Sequence, residues 1–125
     1  MKLDAVEALI KPIFRFTPNQ PGGSRHYYLY LMATVSDGTG SKLVCRIGDY
    51  RGFHSDIACE LQEELADFTV LFQGGGTLLF QLGDTNSVRI GDSSEDYGPD
   101  RDPNQTRELL QAAFPDYEIE IRGEL

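Results

Sequence analysis

The chain has 125 residues, of which 40% are apolar, and this is the size and composition of one small globular domain, residues 1–125. Its formal charge of −9 at pH 7 argues against a nucleic-acid partner, because the phosphates would be repelled by the average surface field. The apolar runs are far shorter than the ~20 residues that span a bilayer, and the first residues do not resemble a signal peptide. We therefore expect no membrane partner, a cytoplasmic location and a monomer.

The first half of the chain predicts strands that lead into a helix. Strand-like patterns rich in aromatic and β-branched side chains, or partly alternating in polarity, occupy residues 8–16, 25–35 and 42–47. Pro12 marks the first of these as an edge or terminal strand. Apolar side chains then recur at helical spacing up to Leu65, so we expect an amphipathic helix of about three turns with its N-cap near His54 or Ser55.

The second half predicts a hairpin, a short strand, a loop, a second helix and a last strand. Apolar runs flank Gly74–Gly76, and the glycines would supply the positive φ angles of a hairpin turn. The remaining elements are a strand at 87–90, a polar loop at 91–102, a helix opened by Asp102 and Pro103, and a strand at 117–121. Together these elements predict an α+β fold: a single small domain with a mixed sheet of about six strands packed with two helices.

His54 is a candidate for chemistry because of its place at the start of a helix. A helix N-terminus carries partial positive charge and several N–H groups without partners. This field disfavours an imidazolium, and a neutral imidazole can act as nucleophile or general base while the N–H groups hold an anion. The alternative interpretation is that His54 only caps or packs the helix, and its position alone leaves both open.

The loop 91–102 is a second candidate site. Ser93 and Ser94 lie between two glycines and could present backbone amides to a phosphate, but five carboxylates crowd the same stretch. A solvated acidic loop is the alternative. The triple glycine lacks the Gly-Lys-Ser/Thr of a phosphate-binding loop, and two histidines are too few to define a metal site. We therefore expect no metal and no cofactor.

Three stretches together resemble one family. They read FHSDIACEL (53–61), GGGTLLFQ (74–81) and EDYGPDRD…FPDYEIE (95–120). In order and spacing they are similar to the small phosphohistidine phosphatase and its Janus/Ocnus relatives, over nearly the whole chain. The most specific pieces are the His-x-Asp-Ile at the helix start, the Tyr-Gly-Pro and the terminal Pro-Asp-Tyr-Glu.

The resemblance implies a metal-independent phosphatase that removes phosphate from phosphohistidine in proteins. The catalytic histidine of that family corresponds to His54. The backbone amides that hold the phosphate correspond to those at the helix start, around Ser55, and in the loop formed by Ser94, Glu95 and Asp96. Whether His54 acts as nucleophile or as general base for water is left open by the sequence.

The resemblance also places basic residues near the site and shows departures from the family pattern. A basic residue on the early long strand corresponds to His26, and an arginine on the strand before the helix corresponds to Arg46. The phosphatase has a lysine at the former position, an arginine where this chain has Thr77, and small or apolar residues where it has Glu95 and Asp96. Each departure removes positive charge or adds negative charge near the expected phosphate.

Three hypotheses follow for the function. The first is a phosphatase acting on a phosphorylated protein or a small phosphoramidate. The second is an inactive binding or regulatory module on the same fold, because basic residues have been lost. The third is a site for phospholysine or phosphoarginine, because an acidic loop suits a cationic substrate body.

Overall fold

The computed structural model describes residues 1–12 and 24–125. After a short 3₁₀ helix (Leu3–Ala5), its elements are β1 (Ser24–Ser36), β2 (Ser41–Asp49), α1 (His54–Glu64), β3 (Thr69–Leu82), β4 (Ser87–Gly91), α2 (Pro103–Ala113) and β5 (Glu118–Ile121). The strands form one sheet in the order β2-β1-β3-β4-β5, antiparallel except for the β4–β5 pair. The predicted α+β class is confirmed, with five strands in the described residues rather than about six.

The two helices cover opposite faces of the sheet, as the alternation of side chains along β1 shows. Its odd-numbered residues pack with α1 in two clusters that contain Leu29, Leu31, Ala33, Val35, Ile57, Ala58, Leu61 and Leu65. Its even-numbered residues pack with α2 in a third cluster that contains Tyr30, Met32, Leu110 and Phe114. β1 is therefore buried on both faces, which accounts for its nearly continuous apolar sequence.

The predicted hairpin at the triple glycine is wrong, because β3 runs through Gly74–Gly76 as a single strand. Gly74 has a φ of +83°, and the register against β1 shifts here, which marks a bulge rather than a turn. A Cβ on Gly75 would lie 2.1 Å from the carbonyl oxygen of Tyr30. The glycines therefore allow close approach of neighbouring backbones while the strand continues.

Most other predicted boundaries agree with the structure to within one or two residues. Asp102 caps α2 by accepting the Gln105 N–H at 3.4 Å, and Pro103 is the first helical residue. Of the strand predicted at 8–16, the described residues show only one bridge, from Leu9 to Cys45, and residues 13–16 lie outside the described part. Within the described residues, neither helix is long and apolar enough to cross a bilayer.

Candidate active site at the start of α1

His54 is the first helical residue of α1, and Phe53 is its N-cap. The N-cap is thus one residue before His54 and two before Ser55, the two predicted positions. Phe53 has no side-chain acceptor, but the carboxylate of Asp56 accepts the Phe53 N–H at 2.9 Å, which fixes the entry of the chain into the helix. Within the described part of the chain, no acceptor meets the N–H groups of His54 and Ser55. These two amides remain available to an anion.

The imidazole of His54 is held by a backbone carbonyl. Its Nε2 lies 2.9 Å from the oxygen of Gly76. A carbonyl oxygen only accepts hydrogen bonds, so Nε2 carries the proton in this contact, and a neutral ring then has its lone pair on Nδ1. Gly76 therefore fixes both the orientation and the tautomer of His54.

The loop after β4 reaches the same triple glycine. The N–H of Ser94 lies 3.2 Å from the carbonyl oxygens of both Gly75 and Gly98, and the Gly75 N–H donates in turn to Gly98. Tyr97 packs its ring against Phe72 at 5.0 Å, in the cluster that lies beneath the first turns of α1. The two stretches that the resemblance assigns to phosphate binding are therefore brought together by β3.

The amide of Ser94 already meets two carbonyl oxygens of the protein, and its predicted contact with phosphate stays a prediction. Ser94 is buried, and its hydroxyl also accepts the N–H of Tyr97 at 3.1 Å. The next two residues, Glu95 and Asp96, form an exposed turn, and their N–H groups meet no acceptor among the described residues. In this loop the amides of Glu95 and Asp96, and that of the exposed Ser93, meet no acceptor among the described residues and can be offered to an anion.

Arg46 is committed to an ion pair at the other end of α1. Its guanidinium donates to both carboxylate oxygens of Glu64, at 2.9 and 2.7 Å, and to the carbonyl of Cys45 at 2.9 Å. These hydrogen bonds lower the pKa of Glu64. Glu64 lies ten residues after His54, or about 15 Å along the helix. The structure therefore gives the Arg46 guanidinium a structural partner, and its predicted contact with the substrate stays a prediction.

His26 is also placed apart from His54. It pairs with Phe80 in the register of β1 and β3, whereas Tyr30 pairs with Gly76, so about 13 Å of strand separates them. The alternation of β1 puts His26 on the α2 side of the sheet, and its Nε2 lies 3.1 Å from the hydroxyl of Ser24. The structure thus does not bring together the basic positions and the histidine that the resemblance grouped in one site.

Thr77 adds no charge to the site. It is buried and pairs with Leu29 on one side and Gly91 on the other. No group of three or more His, Cys, Asp or Glu side chains among residues 1–12 and 24–125 is arranged to hold a metal ion.

Two groups of the site have no role in the predictions from the sequence: the Gly76 carbonyl, because the triple glycine is assigned there to a turn, and the Tyr97 ring, although the Tyr-Gly-Pro is singled out. Gly76 provides the carbonyl for His54, and Tyr97 anchors the loop beneath α1. The signal was present in the sequence, because glycines inside a strand pattern mark a bulge or a close backbone approach.

Comparison with known protein families shows to which family the chain belongs. The profile of the Janus/Ocnus family (Ocnus) matches residues 19–118. The chain belongs to the Janus/Ocnus family. The match includes both helices and the triple glycine, and so every described element of the site in this Janus/Ocnus protein. No curated protein is similar enough to match the chain.

Proposed function

We propose that this Janus/Ocnus protein is a phosphatase that acts, without metal or cofactor, on phosphohistidine or a related phosphoramidate. The substrate would be a phosphorylated protein or a small phosphoramidate. The observation that carries the proposal is the hydrogen bond from His54 Nε2 to the Gly76 carbonyl at the first turn of α1. It holds the ring beside the amides of His54 and Ser55 and leaves the lone pair on Nδ1.

The chemistry requires a nucleophile or base next to an anion site. In the nucleophilic route, His54 Nδ1 attacks the phosphorus, the substrate's P–N bond breaks, and the leaving nitrogen takes a proton from solvent. Water then attacks the phosphorus on His54 and releases inorganic phosphate. In the alternative route, Nδ1 accepts a proton from the water that attacks the substrate directly. In both routes the first-turn amides stabilise the charge on the phosphoryl oxygens.

The exposed placement of Glu95 and Asp96 supports the proposal. A carboxylate 4 Å from one unit of negative charge is unfavourable by about 1 kcal/mol in water but by about 4 kcal/mol at an effective dielectric of 20. Both side chains are solvent-exposed, and neither forms an ion pair or hydrogen bond with another described residue. The lower figure therefore applies more closely, and backbone amides of the same turn can still face a phosphate.

An inactive binding module is the second candidate. It is favoured by the Ser94 N–H, which already meets two carbonyls, and by Arg46, which is neutralised by Glu64. Both groups would otherwise add positive potential to a phosphate site.

The deciding experiment measures phosphate release from a phosphohistidine peptide in the presence of a chelator. We expect turnover by the wild type, a loss of at least about 100-fold in His54→Ala, and little change in His26→Ala, the matched histidine on the other face. Absence of turnover in a folded wild type, or equal turnover in His54→Ala, would reject the proposal. Faster turnover of phospholysine than of phosphohistidine would instead favour the cationic-substrate hypothesis.

A further inference from the structure

An aromatic patch with an adjoining groove lies directly before the active-site histidine. Three aromatic side chains of the described residues are unusually exposed: Tyr27 (40%), Tyr50 (51%) and Phe53 (69%). Tyr27 and Tyr50 contact each other, with ring centroids 5.3 Å apart. Phe53 lines a groove of about 490 Å³ between the β2–α1 turn and the outer side of α1. Exposed apolar surface of this kind, bordered by polar side chains, is typical of a docking site.

The groove, which we name the α1 groove, is lined by Gly48, Asp49, Gly52, Phe53, Asp56, Ile57, Cys59, Glu60 and Glu63. Among the described residues the charged lining is acidic, with four carboxylates and no lysine or arginine. None of these carboxylates forms an ion pair with a residue in the described ranges. Glu64, on the same helix, differs from them because Arg46 neutralises its charge.

Three carboxylates of the groove lie close enough together on α1 to repel one another. Asp56, Glu60 and Glu63 follow one another at intervals of four and three residues, so they project from the same side of α1. Like charges at this spacing destabilise a helix. Asp56 accepts the Phe53 N–H, but no cationic side chain in the described chain pairs with Asp56, Glu60 or Glu63. A cationic ligand would remove this repulsion when it binds.

We infer that the α1 groove binds a lysine- or arginine-rich segment of the phosphoprotein substrate, an inference that rests on the proposed function for the identity of that protein. Charge complementarity selects the segment, since the carboxylates attract ammonium and guanidinium groups. The aromatic rings contribute a second interaction that suits the same side chains. Lysine and arginine lay their aliphatic stems along apolar surface and bind over aromatic faces.

The distance along α1 from His54 to the groove carboxylates sets the spacing between the phosphorylated residue and the basic residues of the substrate. Glu60 and Glu63 lie six and nine residues beyond His54, or about 9 and 14 Å along α1. An extended peptide advances about 3.3 Å per residue. His54 faces Gly76 on the sheet side of α1, whereas Glu60 and Glu63 line its outer side, so these rises are minimum distances. A basic side chain therefore has to stand at least about three or four positions from the phosphorylated residue to reach these carboxylates while the phosphate lies at His54.

The test measures binding without phosphate, so that it does not depend on turnover. The probe is a fluorescein-labelled, unphosphorylated peptide with a central histidine and lysines three and four positions away, titrated at low salt and followed by fluorescence anisotropy. A peptide with glutamines in place of the lysines is the ligand control. The protein variant is Glu60→Gln with Glu63→Gln. Its matched control is Glu108→Gln with Asp116→Asn, which removes the same charge from exposed positions near α2.

We expect the lysine peptide to bind the wild type and His54→Ala alike, with affinity at least tenfold lower in the groove variant and nearly unchanged in the control variant. Equal weakening in both variants, or no preference for the lysine peptide, would overturn the inference. Self-association that only the groove variant abolishes, without peptide binding, would assign the groove to a second copy of the chain. Turnover without peptide binding rejects the groove assignment alone, and binding without turnover rejects the proposed phosphatase alone.

Discussion

A methyl group on Gly75 would meet the backbone of the neighbouring strand. The added Cβ would lie 2.1 Å from the carbonyl oxygen of Tyr30, and a backbone atom inside a sheet has little freedom to move away. We predict that Gly75→Ala lowers the free energy of unfolding by about 1–3 kcal/mol. Urea denaturation of this variant and of Gly123→Ala, where the added Cβ meets nothing within 4 Å, would measure the difference. Equal midpoints would show that β1 and β3 can separate without penalty.

The ion pair between Arg46 and Glu64 makes a pH-dependent contribution to stability. Hydrogen bonds from Arg46 lower the pKa of Glu64 in the folded state, so the contribution is present above the unfolded pKa and is lost as pH falls through the folded pKa. We predict that Glu64→Gln lowers the free energy of unfolding at pH 7 by about 1–2 kcal/mol, because Arg46 is buried whereas Glu64 is partly screened by solvent.

Urea unfolding at several pH values would check this prediction. The difference between Glu64→Gln and the wild type should shrink as the pH falls below about 4.5. Any phosphate release at pH 7 should be retained, because the partner of the Arg46 guanidinium is Glu64, at the end of α1 away from His54. A selective loss of turnover in a stable Glu64→Gln protein would instead connect Arg46 with the active site.

At the scale of elements, the loop that carries Glu95 and Asp96 is tied at its far end by Asp100. The carboxylate of Asp100 accepts hydrogen bonds from the Tyr30 hydroxyl at 2.8 Å, from the Asp102 N–H at 3.0 Å and from the Thr106 hydroxyl. One side chain thereby joins the loop to β1 and to the first turn of α2. Burial raises the pKa of Tyr30, so its hydroxyl is protonated and donates at neutral and alkaline pH.

Removal of the Tyr30 hydroxyl tests this anchor. Tyr30→Phe keeps the buried ring and leaves Asp100 with one fewer donor, so we predict a loss of about 1–2 kcal/mol of stability. Amide hydrogen exchange should also accelerate in the loop around Gly98. Tyr50→Phe, at an exposed ring, is the control and should change neither quantity. Unchanged loop exchange in Tyr30→Phe would mean that Tyr97 and the backbone hydrogen bonds to Gly75 hold the loop without this anchor.

The sequence predicted elements best where local pattern and tertiary packing agree. The α2 boundary is one such case, because Asp102 and Pro103 act within one turn of chain. β3 is the opposite case. Whether the chain turns at the three glycines or continues as a strand depends on the backbones of Tyr30 and Gly91. These residues are distant in sequence and lie close to the glycines on the two neighbouring strands. The same distinction applies to the site. The position of His54 could be predicted from the local helix-start pattern, whereas the partners of Arg46 and Ser94 depend on how the sheet assembles.

At the scale of the whole molecule, one of the two thiols lies at the surface and the other in the core. Both cysteines are free; Cys59 is exposed on α1, whereas Cys45 is fully buried in β2, where its own N–H donates to Ala8. Burial raises the pKa of Cys45 to about 12, so in the native state it is neither accessible nor present as the reactive thiolate. Labelling of Cys45 therefore requires the sheet to open.

We predict that a disulfide reagent at pH 8 modifies Cys59 rapidly in the native protein and Cys45 only at the rate at which the whole domain unfolds. In a Cys59→Ser variant the labelling rate of Cys45 should rise with urea in parallel with the unfolded population measured by circular dichroism. Gly75→Ala and Glu64→Gln should each accelerate it in proportion to their loss of stability. A rate that does not respond to urea would show that β2 and the N-terminal segment open locally, and that the core is not one cooperative unit.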